Sequence, residues 1–153
     1  MAASKKTIQL ESFIGKATVA IDATGRTNFP KDFRKILKEE AGGQVVVTIA
    51  EGRTLALYPV YEWSAYIQYL ESLGRGAEVS KFRTRITSMA KLSVLDGQNR
   101  ISLSAEQMSY AGIGGEVTFV GDGKRARLWA PEKYQEQIET ISPDEEKQFE
   151  NWF

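Results

Sequence analysis

The sequence predicts an α+β fold in which two copies of one strand-and-helix unit share a single core. Three observations carry that prediction. Asp22-Ala-Thr-Gly-Arg26 recurs as Asp96-Gly-Gln-Asn-Arg100, with both the Asp and the Arg displaced by 74 residues. Leu57-Tyr58, Trp63 and Ile67 recur as Leu128-Trp129, Tyr134 and Ile138 at a displacement of 71. Around both sets, short β-rich runs alternate with apolar stripes of helical period. The drift from 74 to 71 falls at the exit of the first helix and in a hairpin loop, where length changes are tolerated, so the pattern is a duplication. A half of about 60–70 residues is marginal alone, burying roughly 60% of its unfolded surface, so the halves need a common core.

The elements follow in chain order. Residues 1–12 are polar and lie outside the repeat, and they read as a flexible arm. Ala17 to Ile21 is a strand leading into the turn at Asp22, where the Asp side chain accepts from the following backbone and Gly25 supplies a positive φ. Thr27 to Phe29 resumes an extended path. Pro30 opens a helix whose Phe33, Ile36 and Leu37 share one face, and Ala41-Gly-Gly43 ends it. Gln44 to Ala50 and Thr54 to Tyr58 form a hairpin around Glu51-Gly-Arg53. Trp63, Tyr66, Ile67, Leu70 and Leu73 then form a helical stripe, closed by Gly74-Arg-Gly76. A connecting helix over 77–89 carries Val79, Phe82, Ile86 and Met89 on one side and Lys81, Arg83 and Arg85 on the other.

The second half repeats the order. Lys91 to Leu95 and Ile101 to Leu103 are strands flanking the second turn, and Ser104-Ala-Glu-Gln107 is a capping box opening a short helix. Val117 to Val120 and Ala126 to Trp129 form a hairpin around Gly121-Asp-Gly123, and a further helix starts near Pro131. The domain reading is an arm over 1–12, a first repeat over 13–76, a connecting helix over 77–89, a second repeat over 90–141 and an acidic tail or helix over 142–153.

Composition excludes several function classes. The 153 residues are 42% hydrophobic and 26% charged, an ordinary globular balance. No run approaches the roughly 20 apolar residues of a membrane span, and the first twelve residues have no signal-peptide core, so a cytoplasmic protein is expected. There is neither Cys nor His, which removes the usual nucleophile, general base and metal ligands. No Walker pattern is present, and Gly112-Ile-Gly-Gly115 is a loop before a strand, the wrong context for a dinucleotide fingerprint. An enzyme, a metal, a cofactor and a small-molecule substrate are all unexpected. Twenty basic residues balance twenty acidic ones, yet residues 132–153 hold seven acidic residues against Lys133 and Lys147, a net of −5. The remainder is therefore +5, a mildly basic body compatible with a polyanion.

The duplicated turn has a mechanical sense. The Asp folds the backbone, Gly25 or Asn99 takes the left-handed step, and the Arg is thrown outward from a rigid base. A guanidinium is planar, always charged, and forks onto phosphate oxygens or the O6/N7 edge of guanine. The plain alternative for one copy is a surface ion pair worth ~0–1 kcal/mol, and two copies in register weaken it. Candidate DNA contacts are Arg26 and Arg100 with Thr24 and Gln98 beside them, and Lys16 and Arg34 nearby, while Lys35 and Lys38 read as a solvated helix face.

Phe13-Ile-Gly15, Asp22-Ala-Thr-Gly-Arg26, Asn28-Phe-Pro30 with Phe33-Arg34, Leu55-Ala-Leu-Tyr-Pro59 with Glu62-Trp63, Asp96 with Arg100, and Gly121 before Leu128-Trp129 together resemble the MraZ family. These are bacterial transcriptional regulators built from two AbrB/SpoVT-like repeats, and the resemblance runs from about Phe13 to Ile138. It implies that the repeats interlock as swapped hairpins into one β-barrel with flanking helices. It also implies a ring-shaped homo-oligomer, nucleoid association, and binding of double-stranded DNA by the two loops at short direct promoter repeats of the division and cell-wall gene cluster. Three departures stand out: Asn99 replaces a Gly, Ser104 replaces a common Pro, and Thr24 replaces a frequent Lys. The alternative function is an oligomeric interaction or scaffold protein without DNA binding, whose tail docks a partner through Phe149, Trp152 and Phe153.

Overall fold

The computed structural model describes residues 12–40 and 42–153, and the side chains of residues 38–40 fall outside that description. The arm read over residues 1–12 therefore lies outside it except for Ser12, as does the side chain of Lys38. The first half runs β1 (Lys16–Ala20), β2 (Arg26–Asn28), α1 (Lys31–Glu40), β3 (Gln44–Ala50), β4 (Thr54–Pro59) and α2 (Val60–Ser72). After α3 (Ala77–Ser88) come β5 (Lys91–Val94), β6 (Arg100–Ser102), α4 (Ala105–Ala111), β7 (Glu116–Asp122) and β8 (Arg125–Trp129). The chain closes with α5 (Pro131–Tyr134), which widens into a π-type turn over Gln135–Glu139, and α6 (Pro143–Phe149).

The halves are interlaced by their strands. One antiparallel sheet has the order β1-β7-β8-β4-β3-β5, so each half's first strand lines the other half's hairpin. A hairpin alone is marginally stable in water, and this exchange gives each one two further neighbours. The sheet reads the same from either end once first-half strands are matched to second-half ones. At its centre, Leu55↔Leu128 and Leu57↔Ala126 flank Ala56↔Arg127, placing a local pseudo-twofold at that middle pair. Strands β2 and β6 form a separate two-stranded ribbon with Thr27↔Ile101 at its middle.

The closed barrel that the resemblance implies is not formed by the described residues. The six-stranded sheet stays open at β1 and β5, and only a single bridge, Ile21↔Thr27, links the end of β1 to the ribbon. The turns at Asp22 and Asp96 take the chain out of β1 and β5 before the ladder can continue. Beneath the sheet and ribbon lies one core, with Phe29, Phe119, Leu37, Leu55, Leu57, Ile101, Leu103 and Leu128 at or near zero exposure. Edge-to-face contacts link Phe13 to Phe33 and Phe29 to Phe119, at centroid distances of 5.2 and 5.8 Å.

The helical stripes bury less than their periodicity predicts. Leu70 and Ile86 are buried, but Leu73 at the end of α2 and Phe82 on α3 stay about half exposed. The capping box at Ser104 forms as read: its hydroxyl accepts from Gln107 N, and Gln107 Oε1 accepts from Ser104 N. The same amide is buried and donates to the carbonyls of Val47 and Met89, tying α4 to β3 and to the exit of α3.

Candidate nucleic-acid interface

Both turns are built from one carboxylate oxygen. Asp22 Oδ1 accepts from Thr24 N at 2.9 Å, Thr24 Oγ1 at 2.6 Å and Arg26 N at 3.0 Å. Asp96 Oδ1 accepts from Gln98 N and Arg100 N, both at 2.9 Å. In each turn the Asp and Arg backbones also close on one another, Asp22 N to Arg26 O and Asp96 N to Arg100 O. The left-handed step falls at Gly25, with φ +86°, and at Asn99, with φ +59°. Asn tolerates that region at modest cost, so the second turn keeps its geometry despite lacking the Gly.

Each turn is also tied to the opposite half. Leu103 N donates to Gly25 O, and Phe29 N donates to Asn99 O, one bond being the repeat image of the other. At Gly25 the approach is so close that a Cβ would collide with the Leu103 carbonyl. Position 99 takes the same left-handed step with a side chain in place, and that residue is half-buried.

Ribbon pairing decides where the arginines face. Arg26 pairs with Ser102 and Asn28 with Arg100, while the middle residues Thr27 and Ile101 are 2% and 1% exposed. Strand alternation therefore puts Arg26, Asn28, Arg100 and Ser102 together on the outer face. The two arginines occupy a diagonal of that face, a relation that separates residues by about 7–8 Å. Lys91 joins them, its ammonium donating to Ser102 Oγ at 3.2 Å.

The two guanidiniums differ in commitment. Arg26 is exposed, and its side chain makes no hydrogen bond or ion pair among the described residues. Arg100 Nε lies 2.8 Å from Asp96 Oδ2, an ion pair with side-chain exposures of 31% and 38%. So the plain alternative of a surface ion pair holds for the second copy. Such a half-exposed pair is worth only ~0–1 kcal/mol, so a phosphate can displace it, and its two terminal nitrogens remain available. The Asp22 carboxyl is held below the usual carboxylate range, first by the Thr24 hydroxyl and then by the Arg26 N–H. For Asp96 the Arg100 N–H comes first, with the Arg100 guanidinium adding to it.

Thr24 is exposed but spends its hydroxyl on Asp22, whereas Gln98 is exposed and bonds Asp96 through its backbone N–H. Arg34 donates Nε to Phe29 O at 2.9 Å, and Phe29 N in turn bonds Asn99, so Arg34 is anchored beside the second turn. Lys16 does not join the cluster. Its ammonium sits 2.9 Å from Glu139 Oε2 and 5.5 Å from the Tyr134 ring centroid. The reason is strand length: at ~3.3 Å per residue, Lys16 begins β1 some 20 Å before Asp22. Asn28 and Ser102 were not legible as site residues, because only the pairing of β2 with β6 brings them beside the arginines. Among the described residues no group of three or more Asp, Glu, His or Cys could hold a metal ion, and no helix is long and apolar enough to cross a membrane.

The sequence has matches among known proteins. The family model described as "MraZ protein, putative antitoxin-like" matches residues 12–84 and again residues 86–153. The chain belongs to the MraZ family. Relatives carrying the name Transcriptional regulator MraZ include one from Nitratidesulfovibrio vulgaris, 34% identical over 119 residues, which cover 76% of this chain and 79% of that protein. Another, from Thermomicrobium roseum, is 32% identical over 133 residues, with 86% and 91% covered. A third, from Marinobacter nauticus, is 30% identical over 140 residues, with 90% and 93% covered. MraZ is a family of transcriptional regulators rather than of enzymes.

Proposed function

We propose that this chain is a sequence-specific DNA-binding transcriptional regulator that contacts double-stranded DNA through the outer face of the β2–β6 ribbon. The observation that supports this most directly is the placement of Arg26 and Arg100 on one diagonal of that face, each at the end of an Asp-anchored turn. In this reading Arg26 and Arg100 reach phosphate or guanine, with Thr24 and Gln98 beside them. Arg34 and Lys91 add charge at the rim, and Asp22, Gly25, Asp96 and Asn99 hold the turns. Residues 13–76 and 90–141 are then the two SpoVT-AbrB-like repeats, joined by 77–89, and the strand exchange is their swapped-hairpin arrangement.

One near-neutral subunit with two such arginines binds DNA weakly, since phosphate contacts are individually modest and salt-sensitive. A ring-shaped homo-oligomer answers this by presenting identical ribbons to short direct repeats, and avidity of that kind raises affinity by ~10²–10⁴. The reading is completed by repression of the division and cell-wall gene cluster, the protein's own gene included, in the nucleoid of the cytoplasm. The test is a gel shift with the DNA upstream of the protein's own operon. Retarded bands for the natural protein and none for Arg26→Ala/Arg100→Ala are expected. Equal retardation by both would refute the assignment and favour a scaffold without DNA binding.

A further inference from the structure

The C-terminal segment is folded but buried against almost nothing. Helix α6, seven residues long, has a full capping box between Ser142 and Glu145 and a proline in its first turn. Yet from 142 to 153 every residue except Phe149 is exposed, and Trp152 and Phe153 are 73% and 107% exposed. Phe149 and Trp152 stack on each other at 6.0 Å, making one aromatic knob. Helices below about 12–15 residues are marginal in water and owe their stability to packing, so this segment needs a surface. Its charged residues are Asp144, Glu145, Glu146 and Glu150 against Lys147.

A surface of matching chemistry lies elsewhere on the fold. Between α2, α3 and the sheet is a cavity of about 320 Å³, lined by Tyr58, Tyr66, Phe82, Ile86, Tyr110 and Arg85 among others. That volume suits an aromatic side chain or two, and Phe82 at its mouth is half exposed where its helical stripe predicts burial. The rim is basic. Arg85 and Arg53 both lie over the Tyr110 ring, at 5.9 and 4.5 Å, and Lys81 is exposed on α3. One acid, Glu51, lines the cavity, and it is already engaged by Arg125, which also lines it, and by Arg127.

We infer that the acidic, aromatic C-terminal segment of one copy seats its Phe149–Trp152 knob in the α2–α3 cavity of a second copy, its carboxylates facing Arg85, Arg53 and Lys81. This rests on the oligomeric part of the proposed function and specifies the contact that builds it. Aromatic anchors in a pocket with a charged rim are the residues that dominate such interfaces.

The test is the particle mass of the full chain by light scattering, without DNA. Trp152→Ala/Phe153→Ala should reduce the mass to that of a single chain, and Arg85→Glu should do the same. Reversing the tail with Glu146→Lys/Glu150→Lys in the Arg85→Glu background should restore assembly. The chain has no cysteine, so Lys81→Cys and Asn151→Cys proteins can be mixed and oxidised. A crosslinked dimer well above that of either protein alone is expected. A natural protein of single-chain mass, an unchanged mass for Trp152→Ala/Phe153→Ala, or no more crosslinked dimer in the mixture than in either protein alone would overturn the inference. Arg26→Ala/Arg100→Ala should leave the mass unchanged, so failure of the DNA reading and failure of this contact are read separately.

Discussion

The first and second turns share a backbone and differ in what that backbone leaves free. In both, one Asp oxygen gathers the N–H groups two and four residues on, and the left-handed step comes at the fourth position. In the first, a threonine hydroxyl also bonds that oxygen and Arg26 stands clear; in the second, Gln98 offers no such bond and Arg100 closes onto its own Asp. The fourth position differs too, since Gly25 is pressed against the Leu103 carbonyl while the second turn takes the same left-handed step with Asn99. The comparison teaches that turn geometry and arginine availability are separable: the Asp dictates the first, and its neighbours modulate the second.

Gly25→Ala tests the steric half of that contrast and carries the largest expected effect. A left-handed non-glycine costs about 1–2 kcal/mol, and the collision with Leu103 adds to it, whereas Asn99→Gly only relaxes a tolerated strain. Urea denaturation should show Gly25→Ala losing at least about 2 kcal/mol and Asn99→Gly shifting stability by under about 1 kcal/mol. Equal losses would mean that the two turns are packed alike.

Next in size is the binding asymmetry. Arg26→Ala should weaken promoter binding by roughly 1–3 kcal/mol and flatten its salt dependence. Arg100→Ala should cost less, because ~0–1 kcal/mol of its gain is spent on leaving Asp96. Fluorescence anisotropy at two salt concentrations measures both, and a larger loss at Arg100 would invert the assigned roles.

Acid should affect both turns in one direction. Because the carboxyls of Asp22 and Asp96 are depressed in the folded protein, their stabilisation is fully present above the ordinary carboxylate value near ~3.9 and is lost as pH falls through the folded values. The Arg26 and Arg100 amides should therefore stay protected from hydrogen exchange down to about pH 4 and lose protection below it. Loss of protection at neutral pH would show that the carboxylates do not hold the turns. The smallest effect is expected from Thr24→Val. Removing the hydroxyl should raise the Asp22 pKa toward its ordinary value in a carboxyl NMR titration, leaving overall stability nearly unchanged. Gln98→Thr should lower that of Asp96.

Much of this molecule was legible from residues a few positions apart. Both turns, the hairpin at Glu51-Gly-Arg53 and the capping box at Ser104 follow from side chains acting on backbone within four residues of themselves, and the duplication shows as the same local pattern written twice. Such local chemistry is nearly independent of the rest of the chain, so the sequence by itself determined it. Tertiary structure alone decided that β2 pairs with β6, that both arginines therefore share a face with Asn28, Ser102 and Lys91, and that the sheet stays open. It also decided that Lys16 turns to Glu139 and that Arg100, but not Arg26, folds onto its Asp. The reason is that strand pairing across some 74 residues is set by how the whole core packs, a sum over many weak contacts that no short stretch of sequence contains.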